Sequence, residues 1–281
     1  MTALVGPPLA RSVRALPLRA RSSALLAVAS LIGLAAFFWP LFYEADGSEN
    51  AAHAGDAPWI FVALLPLLLL IVLAEVADGG LDAKAIALLG VLAACGGMMR
   101  LPGGGPLGGS AVFFLLIPAG RVLGRSFGFV LGALTIFASA VITAGIGPWL
   151  PFQMFGAAWL GFGAGCLPPA RGRVELALLA AYGFLAGLLY GFLLDLWFWP
   201  FVSGSELSFV PGDAVLDNLG RFAGFHAVTA LGYDIPRGVT IALLIAVAGR
   251  PVLLALRRAA RRAAFGAAAE FDPRPMTGLP R

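Results

Sequence analysis

Apolar residues in this chain come in blocks. Eight blocks, at about 24–43, 58–77, 83–99, 110–123, 126–147, 152–168, 174–200 and 237–256, are separated by short stretches that hold most of the charged residues. An apolar run of about 17–25 residues is what an α-helix needs to cross the hydrocarbon core of a bilayer. The pattern predicts an all-α polytopic membrane protein with about eight transmembrane segments. The fourth block is short, which predicts a tilted helix or a re-entrant piece buried against its neighbours. A Gly-Pro-Trp-Leu-Pro corner at 147–151 divides the fifth block from the sixth, and a single amide, Gln153, follows it inside an otherwise apolar stretch.

Composition strengthens this reading. The 281 residues are 60% hydrophobic and 12% charged, against about 25% charged in soluble domains, and the mean hydropathy is +0.91. The net charge of +4 does not point to nucleic acid, because the basic residues lie at the ends of apolar blocks, next to lipid headgroups. With the N-terminus placed in the cytoplasm, Arg11, Arg14, Arg19, Arg21, Lys84, Arg121, Arg125, Arg171, Arg173, Arg250, Arg257, Arg258, Arg261, Arg262, Arg274 and Arg281 fall inside, and only Arg100, Arg221 and Arg237 fall outside. That asymmetry predicts a multi-pass protein of the cell membrane with both termini cytoplasmic. The first outer loop, EADGSENAAHAGDA, is acidic and holds Ala52-His53-Ala54, but the apolar run before it is too long and too distant for a signal peptide. Cys95 and Cys166 stand in separate blocks, with no CxxC pair or metal-ligand spacing.

Few motifs carry chemistry. GGGPLGG at 103–109 contains GxGxxG, but it lies in an outer loop between spans and not in a βαβ unit, so it reads as a flexible loop. No GxxxxGK[ST] occurs, so any ATP-driven step belongs to a partner. Neither a cofactor nor a metal is expected. Small residues recur every four positions at Gly124, Gly128 and Gly132, at Gly183, Gly187 and Gly191, and at Gly90 and Ala94 with Ala93 and Gly97 beside them. Such ridges let helix backbones approach closely, within the chain or against a membrane partner. Asp195 extends the second ridge into the outer half of the seventh block. A carboxylate there costs roughly 2.5–3.5 kcal/mol and needs a partner, with Arg221 and Arg237 as the arginines in reach. Glu75, near the inner end of its block, reads as structural. Trp149, Trp197 and Trp199, with Phe198 and Phe201, crowd the outer ends, where they form an interfacial belt or a stacking surface for a ligand. Arg100, Gln153, Asp195 and these aromatics fall at one outer depth and make a candidate ligand pocket. His53 and His226 are read as solvated residues of outer loops.

The stretch IPAGRVLGRSFGFVLGALTIFASAVITAGIGPWLPFQMFGAAWLGFGAG resembles the central helices of substrate-binding S components of energy-coupling factor (ECF) transporters. AAYGFLAGLLYGFLLDLWFWPF and LGYDIPRGVTIALLIAVAGRPVLLALRRAARR resemble the closing helices of actinobacterial members. The resemblance implies a six-helix S-component-like core over 83–262, preceded by a basic N-terminus and two extra spans in 1–82 and followed by a cytoplasmic tail at 263–281. It implies a non-catalytic subunit that binds a vitamin or similar micronutrient from outside. That subunit would associate with a transmembrane T component and two cytoplasmic ABC ATPases. On this resemblance Gly90 and Ala94, or Ala93 and Gly97, dock the T component, the 100–109 loop closes over the substrate, and the ligand is cobalamin or a related corrinoid. Thiamine precursors, riboflavin, biotin and queuosine precursors stay open. The rival readings are a stand-alone secondary transporter, an intramembrane transferase and a purely structural subunit.

Overall fold

The computed structural model describes residues 20–42, 66, 68, 70, 83–100 and 110–263. Most of the 58–77 block, Glu75, the acidic loop with His53, the glycine-rich 101–109 loop and both termini lie outside the described residues. Among the described residues there are eight α-helices with defined bounds and no strand: α1 (Ala20–Phe37), α2 (Ala83–Met98), α3 (Leu116–Leu123), α4 (Arg125–Ile142), α5 (Leu150–Cys166), α6 (Gly172–Phe198), α7 (Val215–Thr229) and α8 (Leu231–Ala263). Short 3₁₀ turns at Trp39–Phe42, Ser110–Phe113 and Trp199–Phe201 extend three of the corners.

Three helical stretches, Arg125–Ile142, Gly172–Phe201 and Leu231–Arg261, are long and apolar enough to cross a membrane. Their apolar residues do not all turn inward. Leu185 and Leu189 on α6, and Leu243 and Val247 on α8, stand on the surface, Val247 at 81% exposure. Such an exposed apolar face suits contact with lipid.

Glycine sets the packing. Gly128 on α4 and Gly161 on α5 oppose each other so closely that a Cβ on either would overlap the other's carbonyl, and Gly132 meets the Ala157 carbonyl in the same way. The ridge seen in the sequence is therefore used within the chain, where close backbone contact replaces the hydrophobic drive that lipid does not supply. The ridge of Gly183 and Gly187 likewise seats α6 against Ile241 and Gly238 of α8. The short α3 is buried along nearly its whole length, against α4, α5 and α8. Gly124 alone links α3 to α4, with φ 105°, a conformation that a side chain would strain.

The two ends of the bundle differ. At the end carrying Arg125 and Arg173, Glu175 is buried and accepts from Arg121 at 2.9 Å and Arg257 at 2.6 Å. Arg121 also donates to the Leu167 carbonyl at 2.9 Å, so one carboxylate ties α3, α6 and α8 together. At the other end α7 lies over the bundle on a small cluster of Leu196, Trp199, Phe222 and Phe225.

Candidate functional site

Two cavities open at the α7 end. The first, about 160 Å³, is lined by Arg100, Ser110, Phe113, Gln153, Tyr190 and Arg237 among others. Arg100 follows directly on α2, where the Met99 and Arg100 amides still bond back to Cys95, Gly96 and Gly97. Gln153 is placed by the corner: Pro151 sits in the first turn of α5, and the Gln153 backbone N–H donates to the Trp149 carbonyl at 3.1 Å. The two side chains meet. Arg100 Nη1 donates to Gln153 Oε1 and to Ser139 Oγ, each at 3.5 Å. Among the described residues no carboxylate lies within ion-pair distance of Arg100.

The second cavity, about 440 Å³, shares Leu194, Tyr233 and Arg237 with the first. Its remaining walls include Phe198, Val202, Phe225 and Ala230, with Asp195 and Asp234 on one side. Arg237 stands between the two. It is paired with Asp234, one turn back on α8, donates to the Gly187 carbonyl at 3.3 Å and lies 5.4 Å over the Tyr190 ring. Asp234 is 2% exposed, and its side chain occupies the space that a Cβ at Gly191 would need. The third glycine of the α6 ridge thus makes room for an ion pair.

His226 joins this pair to Asp195. Its Nδ1 lies 2.9 Å from Asp195 Oδ2 and its Nε2 lies 3.8 Å from Asp234 Oδ2, while Phe222 stacks on the ring at 5.9 Å. Two expectations are corrected here. His226 is not a solvated loop residue; it sits in the last turn of α7 with 15% of its side chain exposed. Asp195 is met by neither Arg221 nor Arg237 but by His226. Arg221 turns to Asp213 at 2.5 Å and Asn218 at 3.1 Å.

The structure brings Arg100 and Gln153 into one cavity and places Asp195 in its neighbour. The three tryptophans line neither. Trp199 is fully buried and donates to the Leu207 carbonyl at 2.7 Å; Trp197 stacks on Phe152 at 4.7 Å; Trp149, 42% exposed, donates to the Gly145 carbonyl. Of the docking candidates, Ala93 and Gly97 pack inward, Gly97 against the Ser139 backbone, while Gly90 and Ala94 face outward with open space at Gly90. Sequence reasoning missed Tyr190, Tyr233, Asp234 and Arg237 as site residues. The signal for two of them was present in YDIPR, where an acid and an arginine three residues apart share one helix face.

The arrangement offers charge and hydrogen-bonding groups to the two cavities. Among the described residues no group of three or more His, Cys, Asp or Glu is placed to hold a metal ion. Among the described residues no hydroxyl or thiol is hydrogen-bonded to His226 as a nucleophile would be. Comparisons with protein families, with curated proteins and with solved structures find nothing that matches this chain.

Proposed function

We propose that this chain is the solute-binding membrane subunit of an ECF-type importer, taking a vitamin or related micronutrient from outside and handing it inward with a T component and two ABC ATPases. In this reading the bundle crosses the cell membrane eight times with both termini cytoplasmic, the α7 end faces outward, and residues 83–262 form the six-helix core. The observation that carries it is Arg100, a guanidinium held in a small polar cavity beside Gln153 with no carboxylate of its own. An ionic group among membrane helices that meets only neutral partners among the described residues marks a place where a ligand completes the site. The outward-facing Gly90 and Ala94 give α2 a smooth surface on which the T component would sit.

A proton-coupled secondary transporter is the second reading. It is favoured by the Asp195–His226–Asp234 string, three titratable groups in sequence beside the cavities. Co-purification and uptake separate the two. An importer subunit co-purifies with a T component and ATPases, and its uptake stops when the ATPase genes are deleted. Uptake that persists without them, and collapses with the proton gradient, favours the second reading. Ligand binding itself is tested by thermal unfolding of the purified chain against a vitamin panel, corrinoids included; a hit abolished by Gln153→Ala supports the site.

A further inference from the structure

We infer that the ligand is an organic acid, bound through a single anionic group between Arg100 and Arg237. The inference rests on the reading of this cavity as a solute site and adds the chemistry of the solute. The argument begins with charge. Arg121 and Arg257 share Glu175, Arg221 has Asp213, and Arg237 has Asp234. Arg100 meets only neutral oxygens, both at the outer limit of a hydrogen bond. With Arg237 balanced by Asp234, the small cavity holds, among the described residues, one uncompensated positive charge and no carboxylate in its lining. One negative charge on the ligand balances it.

Geometry supports the same class. A guanidinium offers a planar fork that fits a carboxylate with two parallel bonds, and Arg237 is held in place from three sides by Asp234, the Gly187 carbonyl and the Tyr190 ring. The cavity of about 160 Å³ is close to the roughly 150 Å³ that accommodates benzene, enough for an acid group on a small ring. The larger cavity behind the shared wall of Leu194 and Tyr233 is mainly apolar and suits the uncharged remainder. A corrinoid exceeds both.

The test uses matched acids and amides, which differ by one charge: nicotinate and nicotinamide, biotin and biotinamide, lipoate and lipoamide. Thermal unfolding of the full chain in detergent is followed with each, for wild type and Arg100→Gln. An acid should raise the midpoint by roughly 5–10 °C at a hundredfold excess over its Kd, its amide should not, and Arg100→Gln should abolish the rise. In the absence of ligand Arg100→Gln should leave the midpoint equal or higher, because it removes an uncompensated charge. An amide that works as well as its acid, or an acid whose effect survives Arg100→Gln, overturns the anionic class and leaves solute binding intact. If none of the six compounds acts, the ligand-free midpoint decides. An equal or raised value in Arg100→Gln overturns the anionic class and leaves the cavity to a neutral solute; a lowered one makes Arg100 a structural residue and overturns both the class and the binding site.

Discussion

Asp234 and Asp213 are both paired with arginine, yet they differ in what the pairing means. Asp234 is buried, and its partner Arg237 is mostly so. Asp234→Asn keeps the shape but leaves Arg237 without a counter-charge, and breaking a buried pair from one side costs about 3–5 kcal/mol. Thermal or denaturant unfolding should register that loss, and Asp234→Asn with Arg237→Gln should recover part of it. Asp213 lies in the solvent-exposed loop before α7. The bond from Arg221, with a second from the Ala214 amide at 3.1 Å, holds its carboxyl below the usual carboxylate range. A lowered folded-state value stabilises above the ordinary range and is lost as pH falls through the folded value. Acidification below about pH 4 should therefore loosen the 202–214 loop. Asp213→Asn should remove that part of the pH dependence, and limited proteolysis across a pH series reads it. The effect is small and weakens with salt, as for any exposed pair.

Helices were legible wherever lipid-like apolarity was continuous. The blocks at 83–99, 152–168 and 174–200 correspond to α2, α5 and α6 almost end to end. The last block, read as 237–256, extends to Leu231–Ala263; at the C-terminal end Ala and Arg propagate the helix beyond the apolar stretch that announces it. Helix α7 went unread because it is amphipathic and half polar, and its apolar side packs on Trp199 and not in a continuous block. For the same reason the sequence pattern reads His226 as a loop residue. In the site, Arg100 and Gln153 could be found from the sequence as polar breaks at the ends of blocks. Tyr190 could not, since its meeting with Arg237 depends on the register between α6 and α8. That register is fixed by glycines whose partners only three-dimensional packing reveals. Gly161→Ala tests the backbone crossing of α4 and α5. A methyl group there has only backbone to push against, so the expected loss is about 1–3 kcal/mol or more, measured as the unfolding midpoint in detergent. The same substitution at Gly90, which faces open space, should be near neutral for stability.

On the scale of the whole molecule, the Glu175 clasp at one end and the cavities at the other give the bundle a polarity that matches the arginine asymmetry of the sequence. Cys166, exposed at the clasp end, makes the orientation measurable. In a Cys95→Ala background, a membrane-impermeant maleimide should label Cys166 in inverted vesicles and not in intact cells; the opposite result reverses the orientation. The glycine crossing of α4 and α5 also sets a clock. Amides there are released to solvent only when two backbones in direct contact separate, whereas α7 is held by a few side chains and lifts without disturbing them. Hydrogen exchange should divide the chain accordingly, slow over 128–135 and 157–164 and fast over 215–229. The bundle then has a slow wall and a fast cover, and the residues that line the two cavities stand on the boundary between the two timescales.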